Sequence, residues 1–89
     1  MPIREMEIVN ELGMHARAAA EFTKLASKFK ASVFIAKDDL EINGKSIMGV
    51  LMLAAYCGSF ITVRTEGEDA DDALDALEKL VENRFGEEK

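Results

Sequence analysis

The sequence predicts an α+β open-faced sandwich in the order β-α-β-β-α-β-α, four strands with one buried face and three helices to cover it. Two kinds of pattern carry that expectation. Residues 3–9 and 40–43 partly alternate between apolar and polar, the period of a half-buried strand. Residues 16–28 and the stretch after residue 68 repeat apolar positions every three or four residues, the period of a helix packed on one side. The 89 residues fit one small domain, 1–89. A chain of that size buries roughly 60–65% of its unfolded surface, enough for one core without metal or disulfide.

The elements follow in order. In residues 3–9, Met6 and Ile8 share one face and Glu5 and Glu7 the other; Asn10 to Gly13 then turn the chain. From Ala16 to about Lys28, Ala19, Phe22, Leu25, Ala26 and Phe29 form an apolar stripe, and the alanines add helix propensity. Residues 31–37 are rich in β-branched and aromatic side chains, Asp38 and Asp39 can turn, and 40–43 alternates, so a hairpin is expected that Asn43-Gly44 closes. Ser46 fits an N-cap before the apolar run 47–56, with Gly58 as its stop. Residues 60–66 make the fourth strand. In the last helix Glu68, Asp69, Asp71 and Asp72 crowd the first turn, where the helix dipole favours negative charge. Its buried stripe is Ala73, Leu74, Leu77, Leu80 and Val81, and Gly86 ends it.

Bulk properties exclude several classes. A net charge of −6 argues against nucleic acid, whose phosphates need clustered Lys and Arg. No apolar run is long enough to span a membrane and no secretory leader is expected, which points to the cytoplasm. Cys57, the single cysteine, lies in an apolar stretch and reads as a buried, reduced thiol. The acidic cluster reads as helix capping, and with one histidine and one distant cysteine no metal site is expected.

The only histidine, His15, stands between Gly13 and Arg17 at the start of an alanine-rich helix. The first amides of a helix lack internal partners and carry partial positive charge. That field favours the neutral, nucleophilic imidazole, and it stabilises an anion attached to the ring. Arg17 adds a planar cationic fork suited to phosphate oxygens, and Gly13 lets backbone approach closely. A phosphorylated imidazole is a high-energy phosphoramidate able to pass its group on. On pattern alone a structural helix-capping histidine stays open beside the carrier reading.

A second candidate lies at Ser46. Residues 43–46 suggest a nucleotide-binding loop, but that motif needs glycine where Asp39 stands, so it is rejected. Ser46 reads as a helix cap and also as a phosphorylation site, because negative charge at a helix start is tolerated. The following helix, with Ile47, Met48, Val50, Leu51, Met52 and Leu53, has almost no polar face. It is therefore either wholly buried or partly a partner surface.

Residues 13–22 (GMHARAAAEF), residues 43–55 (NGKSIMGVLMLAA) and the element order together resemble the HPr family, histidine-containing phosphocarriers of the bacterial sugar phosphotransferase system. The likeness covers nearly the whole chain. It implies an antiparallel sheet of order 1-4-2-3 and no cofactor. His15 matches the histidine that accepts phosphate on Nδ1 from Enzyme I and donates it to EIIA domains, and Arg17 matches the arginine attending the phosphate. Ser46 matches a serine modified in some lineages by HPr kinase/phosphorylase; a transcriptional regulator is a further implied partner. Docking is implied for the first two helices, through Ala16, Ala20, Lys24, Ile47, Met48 and Leu51. The expected protein is a monomeric carrier and not a turnover enzyme. Ala18 departs from the family's usual proline, which loosens the first helical turn, and Met14 resembles the nitrogen-branch paralogue. The alternatives are that paralogue and a regulatory binding module acting through Ser46.

Overall fold

A computed structural model describes residues 2–89. Its elements are β1 (Ile3–Glu7), α1 (Ala16–Ala26), β2 (Ser32–Lys37), β3 (Leu40–Asn43), α2 (Ile47–Met52), β4 (Phe60–Glu66), α3 (Ala70–Glu82) and a short 3₁₀ turn, Arg84–Gly86. The strands form one sheet of order β1-β4-β2-β3, every neighbouring pair antiparallel. The three helices lie on one face, as the sequence predicts.

Alternation builds the sheet. Met6 in β1, Val33 and Ile35 in β2, and Ile61, Val63 and Thr65 in β4 point into the helical layer and are buried. From the helices come Ala18, Ala19, Phe22 and Ala26 of α1, Val50 of α2, and Leu74, Leu77 and Val81 of α3. Phe22, with no exposed surface, is the largest of these fully buried side chains. Thr65 avoids an unpaired hydroxyl in this layer by donating to the Ala70 carbonyl at 2.8 Å. On the uncovered face Arg64 lies 4.1 Å from the Phe34 ring centre and pairs with Glu41 and Glu66.

Several boundaries differ from the sequence reading, each for a local reason. The first strand ends at Glu7, yet Ile8 still donates to Ser59 O at 2.8 Å and accepts from Gly58 N–H at 2.8 Å, so pairing continues past it. The first helix ends at Ala26, and Lys28 and Phe29 bond back three residues in a tightening turn. The second helix is much shorter than the apolar run 47–56. Ala54 enters the left-handed region at φ 50°, which ends the helix, and Gly58 sits in the later turn before β4. Cys57 therefore falls on a turn and is exposed, not buried.

The last helix also starts differently from the capping picture. Asp71 and Asp72 occupy its first turn, but Asp69 at the N-cap makes no capping bond. Its carboxylate instead accepts from the Lys30 and Ala31 amides at 2.9 and 2.7 Å, tying the connection before β2 to the start of α3. Beyond Glu82, Arg84 and Phe85 take positive φ, and this kink drives Phe85 into the core at 4% exposure. Gly86 ends that separate turn and not the helix itself.

The bond from the Lys30 amide, helped by that from Ala31 and by the charge of Lys45, holds the Asp69 carboxyl below its ordinary range against the opposing cost of burial. A depressed carboxylate stabilises the fold fully above its unfolded value, near about 4, and that contribution fades as pH falls through the folded value. Asp69→Ala is thus expected to lower the melting temperature at neutral pH, with the gap to the parent closing in acid. Thermal melts followed by circular dichroism across the pH range check it; a gap that widens in acid contradicts the assignment.

Candidate functional site

The site begins with a loop, residues 10–15, held from several directions. Asn10 is completely buried and its carboxamide nitrogen donates to Gly13 O at 2.8 Å. Gly13 N–H returns a bond to Asn10 O at 3.1 Å, and Met14 N–H donates to Ala55 O at 2.7 Å. Gly13 adopts φ +69°, and a Cβ there would lie 2.7 Å from Tyr56 Cα and 2.8 Å from Ala55 O. Only glycine satisfies both the conformation and the close approach. The same loop sends the buried Met14 inward and leaves its neighbour at the surface.

That neighbour is His15, the N-cap of α1, with extended backbone (φ −80°, ψ −178°). Its carbonyl accepts from Ala19 N–H at 2.8 Å, the first bond of the helix ladder. The ring caps the same helix: Nδ1 accepts from the Arg17 backbone N–H at 3.3 Å. Nε2 pairs with the Glu87 carboxylate. An atom that accepts from an amide holds no proton, and one that faces a carboxylate donates one. The tautomer that fits both contacts has its proton on Nε2 and its lone pair on Nδ1, at the positive end of a helix. The side chain is 31% exposed, so the ring is reachable from solvent.

Sequence reasoning missed two members of this site. Glu87 lies beyond the last helix, in a stretch that resembles a polar tail, and Asn10 reads as an ordinary turn residue. Glu87 meets His15 across 72 residues of chain and Asn10 across 77, and no periodicity signals either contact. The Glu87 carboxylate accepts from Asn10 Nδ2 at 2.9 Å through its other oxygen. Burial disfavours its charge, but the bonds from Asn10 and His15 and the nearby charge of Arg17 outweigh that and hold the carboxyl below its usual range. Glu11 N–H donates to Lys89 O at 3.0 Å, so the whole segment 87–89 lies against the loop.

Glu11, Leu12, His15, Arg17, Glu87, Glu88 and Lys89 line a shallow, open cavity of about 350 Å³. Among the described residues, the Arg17 guanidinium makes no hydrogen bond or ion pair and stands free at the cavity's edge. Among the described residues no cluster of three metal-binding side chains occurs, and no helix is long and apolar enough to cross a membrane.

The remaining sequence candidates fall on the helical layer. Ser46 caps α2 through its Oγ, which accepts from Gly49 N–H at 3.2 Å. Ala16 and Lys24 are exposed on α1 and Ala20 is half-buried. On α2, Ile47 and Met48 are exposed at 45% and 71%, Leu51 is half-buried, and Val50 is wholly buried. Helix α2 is therefore not wholly buried. Met52, Tyr56 and Leu12 extend the exposed apolar surface beyond the residues singled out from the sequence.

Replacing Gly13 by alanine forces a Cβ into the Tyr56 backbone and a left-handed φ on a residue that resists it. Gly13→Ala is expected to cost about 1–3 kcal/mol, read from urea unfolding, and to shift the His15 ring resonances. Parent stability together with parent resonances contradicts this reading of the loop.

Comparison with known proteins places this geometry. Residues 3–83 match the family model described as the PTS HPr component phosphorylation site. The phosphocarrier protein HPr of Neisseria meningitidis is 49% identical over 84 residues, covering 94% of each chain. Among solved structures, HPr-C-His of Thermoanaerobacter tengcongensis superposes with a TM-score of 0.96 at 42% identity over 100% of both chains. An HPr dimer from the same organism gives 0.79 at 43% identity, over 92% of this chain and 94% of that one.

Proposed function

The chain belongs to the HPr family of phosphocarrier proteins, and from that premise we propose that His15 takes a phosphoryl group on Nδ1 from phosphorylated Enzyme I and passes it to EIIA domains for sugar uptake. The observation that carries the reading is the His15 ring at the N-terminus of α1, with its lone pair on Nδ1 and its proton held on Nε2. In the first transfer the donor's N–P bond breaks and its electron pair returns to the donor nitrogen. The Nδ1 lone pair forms the new N–P bond. As it does so, the Arg17 amide is released from Nδ1 and becomes a donor for a phosphate oxygen. The free Arg17 guanidinium is suited to a second and third oxygen. Transfer onward reverses these steps with EIIA as acceptor. The protein is a substrate that is modified and restored, working as a monomer in the cytoplasm, and not an enzyme with its own turnover.

Enzyme I and EIIA dock on the exposed side of α1 and α2, through Ala16, Ala20, Lys24, Ile47, Met48 and Leu51. Apolar side chains as open as Ile47 and Met48 favour such use, and methionine adapts to more than one partner. Phosphorylation of Ser46 by an HPr kinase/phosphorylase places negative charge beside that patch. It slows docking by local electrostatics and not by unfolding, since a helix start accommodates the charge.

Incubation with phosphoenolpyruvate and Enzyme I is expected to add one phosphate, labile in acid and stable in base, and His15→Ala is expected to accept none. Label retained by His15→Ala overturns the assignment. Arg17→Ala should slow transfer by about tenfold, the worth of one charged hydrogen bond, measured under single-turnover conditions. Ser46→Asp is expected to keep the parent melting temperature while Enzyme I transfer slows; unchanged kinetics rule out the electrostatic account. Modification of Ser46 by the kinase without any Enzyme I transfer would point instead to a regulatory binding module.

A further inference from the structure

We propose that Asn10 and Glu87 form a positioning relay for His15, in which the buried carboxamide orients the carboxylate and the carboxylate holds the imidazole proton on Nε2. The proposal rests on the phosphocarrier reading and deepens it. Asn10 Nδ2 donates to Gly13 O at 2.8 Å and to Glu87 Oε1 at 2.9 Å, using both of its protons on acceptors. Turning the amide over would set its oxygen against a carbonyl and a carboxylate, so the orientation is forced by its neighbours. The same orientation leaves Asn10 Oδ1 buried with no partner among the described residues.

The carboxamide acts on Glu87. One carboxylate oxygen is fixed by Asn10, so the other is left facing His15 Nε2. The Glu87 side chain is only 11% exposed, so water competes weakly for it. The consequence for transfer is specific. When Nδ1 forms its bond to phosphorus, the lone pair is spent and the ring acquires positive charge. The Nε2 proton then either stays on the ring, shared with Oε2, or moves to Oε2 and leaves the ring neutral; both keep the charge balanced at one hydrogen bond. When the group leaves for an acceptor, the N–P electron pair returns to Nδ1 and the Nε2–H tautomer is restored. Glu87 touches the ring and not the phosphoryl group, and Asn10 acts only through Glu87. Both are positioning residues.

The full chain tests this with three variants, each checked for its melting temperature. Glu87→Ala removes a side chain from the segment after the last helix and leaves the core intact; Glu87→Gln keeps the shape and removes the charge. Both are expected to lower kcat for transfer from phospho-Enzyme I by about tenfold with KM little changed. Asn10→Ala should lower kcat when Glu87 is present and add nothing to Glu87→Ala, since one acts through the other. In the unphosphorylated parent, ¹⁵N-resolved NMR should show a slowly exchanging proton on Nε2 that disappears in Glu87→Ala. Parent kcat and a persistent Nε2–H signal in Glu87→Ala overturn the relay, and multiplying effects of Asn10→Ala and Glu87→Ala overturn the part given to Asn10. A parent that takes no acid-labile phosphate defeats the phosphocarrier reading instead, and the NMR comparison still decides whether the relay exists.

Discussion

Everything chemical in this molecule depends on unpaired amides at the start of α1. The ladder of the helix cannot satisfy them, so something outside must, and here it is the imidazole of His15. Using a ring nitrogen as the cap places a lone pair where the helix field is most positive. A hydroxyl cap would satisfy the same amide but would place no ring-nitrogen lone pair there. The atom that caps the helix, Nδ1, is also the one whose lone pair faces this field.

Holding that atom in place is a tertiary problem. The loop before α1 is fixed by Gly13 against the backbone of residues 55 and 56, which lie beyond the end of α2. It is fixed again by segment 87–89, which follows the 3₁₀ turn seated by Phe85. Each anchor sits on an element that packs in the same helical layer over the sheet. The bridge from Asp69 to the Lys30 and Ala31 amides holds the connection between α1 and β2 against the start of α3. Core packing thus reaches the imidazole through the two anchors of its loop.

Helix α2 illustrates the other use of the layer. Val50 and Leu53 bury its inner side, while Ile47, Met48 and Met52 stay open to solvent. A helix of six residues has too little surface to hide a sequence that is apolar all round. The excess appears as an exposed patch next to the Ser46 cap.

The sequence by itself determined the secondary structure and its inner faces, because these follow from periods of two and three to four residues written along the chain. Phe22, Leu74 and Leu77 were legible as core in that way, and His15 and Ser46 as caps by their place before apolar runs. Where the apolar run 47–56 stops being helical was not legible, since the left-handed turn at Ala54 is imposed by packing and leaves no glycine or proline to mark it. Nor were the partners of His15. Asn10 and Glu87 are polar residues in a turn and a tail, types that usually face water, and only the folding of the chain over 77 residues makes them neighbours. Local periodicity chose which residue carries the lone pair. Long-range contact, which no local pattern encodes, decided which nitrogen keeps the proton.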